Sequence, residues 1–146
     1  MSTFAEIETR IDEIAVSASV SEPAGLAPLV QDLLRLGETV LEHWIIARGE
    51  IPTHATKEGF RLLALHRQGA KGDPSFNACR ETARELVYHY NLVTQEPSHP
   101  DTARRIRLAA MVAKHLALFV GGKLEVAGLG DFCCAAKPIR TTEPMI

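Results

Sequence analysis

Histidines placed on different helical segments are the feature of this sequence that most directly suggests chemistry. His43, His66, His89 and His115 each fall in a separate stretch of helical apolar periodicity. In an up-and-down bundle alternate helices run in the same direction, so His43 and His89 would share one level and His66 and His115 the other. Imidazole rings combined with carboxylates suit zinc, iron or manganese. The placement therefore suggests a metal or haem site between helices.

Glutamates beside two of these histidines extend the candidate site. Glu42 directly precedes His43, and Glu85 lies four residues before His89. The candidate metal ligands are His43, His89, Glu42, Glu85 and His66, with Glu38 and Glu81 as alternatives, and the candidate cofactor is a transition metal or haem. Consecutive helical residues diverge by about 100°, however, so Glu42 and His43 cannot both point toward a bundle axis. We therefore favour the interpretation that these glutamates occupy solvated helix faces near arginines.

A second candidate site centres on His115, which lies among apolar residues of the last helical segment. Leu108, Met111 and Phe119 are its neighbours on the helical wheel. One interpretation is a core or interface histidine bonded to a backbone carbonyl. The others are a cofactor-binding group, as a haem or metal ligand, and a donor in an enzyme pocket between helices. The sequence contains no phosphate-binding glycine motif, His-Glu-x-x-His, Cys-x-x-Cys or Gly-x-Ser-x-Gly, so a non-enzymatic role is favoured.

Apolar residues recur at helical spacing along most of the chain, which predicts an all-α fold. A Thr3–Glu6 capping box opens the first helix, and the Gly121–Gly122 pair is expected to stop the fifth. The predicted helices span residues 3–19, 26–48, 53–69, 73–95 and 98–120, the third beginning between 53 and 56. We predict a single bundle domain of about five helices over residues 1–122. An irregular C-terminal tail over residues 123–146 follows, with at most a short extended piece at 123–126.

The fifth helical segment is apolar on almost every side, which is unusual for a bundle helix. Such a helix is either the central element of the bundle or is covered on its outer face by another subunit. Tyr88 and Leu92 add apolar positions on an otherwise polar face of the fourth helix. The candidate interface residues are Leu108, Met111, Phe119, Tyr88 and Leu92. Together they predict a homo-oligomer, with a dimer favoured.

Composition narrows the class of protein further. The chain has 146 residues, of which 46% are hydrophobic and 23% charged, and a formal net charge of −2. These values disfavour a disordered or nucleic-acid-binding chain. No apolar run approaches the ~18–20 residues of a membrane span, so no membrane association is expected. Three cysteines, including the adjacent Cys133 and Cys134, are too few for a disulfide framework, and we expect a cytoplasmic protein.

Charge is distributed unevenly along the chain. Residues 1–50 carry nine acidic and three basic side chains, whereas residues 101–146 have an excess of basic ones. The two ends therefore complement each other, either within one chain or between subunits. The sequence predicts a small, non-enzymatic binding or regulatory module that self-associates or docks a protein partner. A metal- or haem-binding bundle and an enzyme with a pocket around His115 are the alternatives.

Overall fold

The fold is built from five α-helices, as the apolar periodicity predicts. The structure, a computed structural model, describes residues 1–128, apart from the side chain of Pro23. The helices in this range are α1 (Phe4–Val20), α2 (Ala27–Ala47), α3 (Arg61–Ala70), α4 (Arg80–Gln95) and α5 (Thr102–Ala127). Short 3-10 segments, Pro23–Gly25 and Pro74–Cys79, precede α2 and α4. The all-α prediction is confirmed, and most of the predicted tail, with Cys133 and Cys134, lies outside the described residues.

The first two helices match their predicted bounds to within one residue. The predicted capping box opens α1, because Thr3 N donates to Glu6 Oε1 at 2.9 Å and Glu6 N donates to Thr3 Oγ1 at 3.1 Å. Ile7 and Ile11 then lie on the buried stripe of α1. In α2 buried residues recur at helical spacing from Val30 to Trp44 and Ile45. The local start signal is a capping box at α1 and a first-turn proline, Pro28, at α2, which has no side-chain cap. Both signals agree with the apolar spacing, so the sequence pattern sufficed.

The third helix begins at Arg61, so the predicted start between residues 53 and 56 is wrong. Lys57 and Phe60 exchange two backbone hydrogen bonds of 3.0 Å around a tight turn. The two residues between them, Glu58 and Gly59, have φ angles of +55° and +85°. Two successive positive φ values define a type I′ turn, which interrupts any helix. The residues before α3 are therefore a structured loop.

The fourth helix begins at Arg80, later than the Asp73–Pro74 start that the sequence predicts. Asp73 does not cap a helix; its carboxylate instead accepts hydrogen bonds from Ser75 Oγ at 2.6 Å and Lys123 Nζ at 3.2 Å. The following turns form the tighter 3-10 segment, which directs Phe76 into the core. Side-chain contacts with a distant helix therefore override the local capping signal.

The fifth helix continues through Gly121–Gly122, so its predicted end at residue 120 and the extended piece at 123–126 are both wrong. Neither of these glycines has a positive φ, and the helix ends instead at Gly128, which adopts the left-handed conformation at φ +72°. Leu124 is buried in the extra turns. Its burial offsets the roughly 1 kcal/mol by which a glycine weakens a helix interior.

The long helices form an antiparallel bundle with α5 at its centre. α5 contacts α1, α2 and α4. Hydrogen bonds from Lys114 to Asp12 and from Arg107 to Ser19 show that α5 runs antiparallel to α1. Gly37 lets α2 approach its neighbours closely, because an added Cβ would lie 2.8 Å from Leu86 Cδ2. None of the helices in residues 1–128 combines the length and apolarity that a membrane crossing needs.

Candidate anion-binding pocket

The candidate metal-binding histidines occupy separate environments. His43 Nε2 lies 2.6 Å from the carbonyl oxygen of Ser2, and its ring contacts Phe4. His89 is half-buried, and its Nδ1 has no hydrogen-bond partner in the described part of the chain. Burial lowers the pKa of His89, and Glu85 opposes that shift. Across residues 1–128 no three histidine, cysteine or acidic side chains are grouped so that they could hold a metal ion. The metal or haem interpretation stays a prediction.

Two of the glutamates do not lie on solvated faces, contrary to the prediction. Glu42 forms an ion pair with Arg61 at 2.7 Å, and Glu38 lies 3.7 Å from the same guanidinium. The three side chains are only 19–22% exposed. Burial raises the pKa of Glu38, and Arg61 opposes that rise. Glu81 and Glu85 are exposed as expected.

His115 is exposed, so the interpretation of this residue as a core histidine is wrong. Met111 and Leu118, on the same outer face of α5, are 67% and 56% exposed. The predicted apolar face of α5 is thus real but points away from the bundle. An interface role for this face stays a prediction.

The other candidate interface residues are dispersed. Phe119 packs inward, with its ring 6.0 Å from that of Phe76, and Leu108 is half-buried on α5. Tyr88 is exposed and borders a small cleft with Glu58. Leu92 is half-buried one turn further along α4. Only part of the predicted interface therefore belongs to one continuous surface.

A pocket of about 630 Å³ opens between the loop before α3, α3 itself and the start of α4. It is lined by Thr53, Ala55, Lys57, Leu63, Ala64, His66, Arg67, Gln68, Ala70, Lys71, Asn77, Arg80 and Arg84. The loop and α3 supply most of the wall. The walls therefore combine small apolar groups with a large excess of basic ones.

Five basic side chains line this pocket, and no carboxylate does. Lys57, Arg67 and Lys71 form no ion pair within residues 1–128, although the neighbouring carboxylate of Glu58 attracts Lys57. Arg80 lies 4.0 Å from Glu81, in a pair that is largely exposed and therefore weak. Like charges converging on a concave surface create a positive potential that attracts anions.

Arg84 is the best-paired cation of the lining. Its Nη2 and Nη1 donate to the two carboxylate oxygens of Glu58 at 3.0 and 3.3 Å. This bidentate contact lowers the pKa of Glu58. Glu58 itself lies outside the lining, but its carboxylate offsets the charge of Arg84, so Lys57, Arg67, Lys71 and Arg80 supply most of the positive charge of the pocket.

His66 forms part of the inner wall of the pocket. Its Nε2 donates to the carbonyl oxygen of Phe76 at 3.2 Å, and the two rings stack at 5.4 Å. Burial lowers the pKa of His66, the backbone hydrogen bond opposes that shift, and the positive charges of Arg80 and Lys57 add to it. His66 is therefore a structural side chain, and the cations around it lower its pKa further.

The loop wall of the pocket is fixed by side chains of α3. Gln68 Oε1 accepts a hydrogen bond from Thr53 N at 2.8 Å, and Gln68 Nε2 donates to the carbonyl oxygen of Ile51 at 2.8 Å. Arg61 Nε donates to the carbonyl oxygen of Thr53 at 2.9 Å. Because loop backbone groups are satisfied in this way, the pocket is formed before any ligand arrives.

Sequence analysis did not identify this pocket, although a signal for it exists. Residues 57–84 carry six lysine or arginine side chains and three acidic ones, so this stretch has an excess of three positive charges. The acidic residues of this stretch, Glu58, Asp73 and Glu81, are interspersed with the basic ones in the sequence but are absent from the lining. The basic and acidic side chains are separated in the folded structure, where five of the basic ones line one cavity and the acidic ones do not.

Comparison of the chain with family profiles, with curated proteins and with solved structures finds no match.

Proposed function

We propose that this protein is a non-enzymatic binding module that holds a small organic anion in the cationic pocket. The observation that carries the proposal is the lining itself, in which five basic side chains meet without a carboxylate. Three of these cations form no ion pair in residues 1–128. A bound phosphate or carboxylate would relieve their mutual repulsion and accept charge-assisted hydrogen bonds.

The size and shape of the pocket favour an organic ligand over a bare inorganic ion. Its volume of about 630 Å³ lies within the range of roughly 300–1,000 Å³ found for small-molecule sites. Leu63, Ala64 and Ala70 provide apolar wall between the charged groups. A ligand with an apolar body and one or more anionic groups would use both parts of the lining.

A binding role suits the chemical character of the lining better than a catalytic one. His66 is the lining group whose ordinary pKa is nearest to neutrality, and it is buried and bonded to a backbone carbonyl. Lysine and arginine side chains remain protonated and act as fixed charges. The arrangement therefore favours recognition of an anion over proton transfer.

The proposal predicts charge-dependent binding, which isothermal titration calorimetry with ADP and adenosine can measure. These two probes share one organic body and differ in the phosphates. ADP should bind more tightly than adenosine, and its affinity should fall as salt is added. Arg67→Gln and Lys71→Gln should each weaken ADP binding about five- to tenfold, because each removes one ionic contact.

Arg35→Gln is the matched control, since Arg35 is an exposed arginine on α2 that lies outside the pocket lining. It should leave the dissociation constant of ADP unchanged. Equal affinity for ADP and adenosine, or an equal effect of Arg35→Gln and Arg67→Gln, would refute a specific anion site. Failure of both ADP and pyrophosphate to bind at about 1 mM would refute it as well.

A further inference from the structure

An exposed stripe of α5, here called the α5 seam, is unlike the outer faces of ordinary bundle helices. The seam consists of Arg104, Leu108, Met111, His115, Leu118, Gly122 and Val126. All of these residues are exposed except Leu108, which is half-buried. Successive members are three or four residues apart, so they form one straight line about 33 Å long. Helix five is central in the bundle and still presents apolar side chains to solvent.

The seam is nearly symmetric about its middle. Met111 lies four residues before His115 and Leu118 lies three residues after it. Leu108 lies seven residues before His115 and Gly122 seven residues after it, so a large residue on one side of His115 corresponds to a small one on the other. When two copies of such a stripe run antiparallel, Met111 and Leu118 meet each other and Leu108 meets Gly122, while Arg104 and Val126 face each other at the ends. An isologous two-fold interface needs this self-complementarity.

We propose that a second copy of this chain packs on the α5 seam, antiparallel to the first, with the two-fold axis near His115. In this arrangement Met111 lies level with Leu118 of the partner subunit, and Leu118 with the partner's Met111. Leu108 lies level with Gly121–Gly122 of the partner subunit, where a close approach is sterically permitted. The occupant of the seam is therefore another copy of the same helix.

Helix α1 widens the apolar part of this surface. Asp12 pairs with Lys114, and Ser19 contacts Arg107, which fixes the register of α1 against α5. In that register Val16 lies level with Met111, and Val16 is 68% exposed. The exposed apolar patch therefore spans both helices near the middle of the seam, where the second copy would pack.

Charge at the ends of the seam also favours a second copy. Arg104 and Arg107 have no acidic partner within residues 1–128. In the proposed pairing Arg107 lies level with about residue 123 of the other copy, beside the first turn of α1 there, which carries Glu6 of the partner subunit. The interface thus pairs the acidic N-terminal region of one copy with the basic start of α5 in the other. Both ends gain this contact because the axis is two-fold.

Analytical ultracentrifugation of the full chain over a range of concentrations tests whether the seam associates. We expect a dimer that the double variant Met111→Glu, Leu118→Glu weakens at least about a hundredfold, because four carboxylates would be buried without partners. Both positions are exposed, so the variant should fold, which circular dichroism can verify. Ile51→Glu is the control, because Ile51 is 85% exposed in the loop before α3 and lies outside the seam. A chain that stays monomeric at ~100 µM, or a dimer that the double variant leaves intact, would overturn the proposal.

Site-directed cross-linking tests the antiparallel arrangement. In a background with Cys133→Ser and Cys134→Ser, a short bismaleimide should join two copies of His115→Cys. It should not join two copies of Arg104→Cys, because antiparallel pairing separates those positions by about 32 Å. Cross-linking of both variants would indicate a parallel pair, and cross-linking of neither would place the two copies elsewhere; each result would overturn the proposal. The seam and the pocket lining share no residue, so either proposal can fail without the other.

Discussion

The cationic pocket and the α5 seam are built by different means. At the pocket, long polar side chains such as Gln68 and Arg61 hold a loop in place through its backbone groups. At the seam, a regular helix presents its outer face with no such contacts around Met111 or Leu118. The pocket is a product of tertiary structure, whereas the seam follows from helical periodicity alone. Packing changes elsewhere in the bundle should therefore alter the shape of the pocket but leave the α5 seam unchanged.

Substitution of Phe76 should show the largest difference between its effect on the pocket and its effect on the α5 seam. Phe76 is fully buried, stacks on Trp44 and His66, and contacts Phe119 of α5. Phe76→Ala should lower the free energy of unfolding by about 3–5 kcal/mol, because it removes a ring from a packed cluster. Urea unfolding followed by the fluorescence of Trp44, the one tryptophan of the chain, measures this change.

The same substitution should affect the two regions unequally. Since the carbonyl oxygen of Phe76 and its ring position His66, ADP affinity should fall along with stability. Self-association should change little under conditions where the variant is folded. Tyr88→Ala is the aromatic control, because Tyr88 is 59% exposed, and it should change stability by less than about 0.5 kcal/mol. A Phe76→Ala protein as stable as the Tyr88→Ala protein would contradict the packing argument.

The buried histidine in the pocket wall predicts a smaller, pH-dependent effect. Burial lowers the pKa of His66 in the folded protein. Below its ordinary pKa of about 6.5, the unfolded chain therefore binds a proton that the folded chain does not. The free energy of unfolding should fall as pH decreases from about 7.5 to about 5.5, with a slope of at most about 1.4 kcal/mol per pH unit from this residue. Urea unfolding at several pH values checks the slope.

His66→Gln separates this contribution from others. Burial also lowers the pKa of His89, so that residue adds a slope of the same sign. The His66→Gln variant should lose the His66 contribution and keep that of His89, and His89→Gln should do the reverse. An unchanged slope in His66→Gln would show that His66 takes up its proton equally well in the folded and unfolded chains.

The two regions also differ in how far the sequence could predict them. The bundle, its first two helices and the apolar face of α5 follow from capping residues and 3.6-residue spacing. Whether that face is buried in the bundle or exposed to solvent could not be predicted, because this depends on which helices pack against α5. Likewise, Glu42 looks solvated until Arg61 comes near it from another helix. The pocket depends on a turn at Glu58–Gly59 and on contacts over many residues, which local patterns do not encode.

Two neighbouring residues of α5 provide the finest test of the comparison. Leu116 is fully buried, whereas His115 is exposed on the α5 seam. Measured on the monomer at low concentration, His115→Ala should change the free energy of unfolding by less than about 0.5 kcal/mol. Leu116→Ala should lower it by about 2–5 kcal/mol, because it leaves a cavity in the core. If His115→Ala lowers the free energy of unfolding of the monomer by 1 kcal/mol or more, this imidazole stabilises the bundle itself. That result would contradict the view that the α5 seam serves only in association.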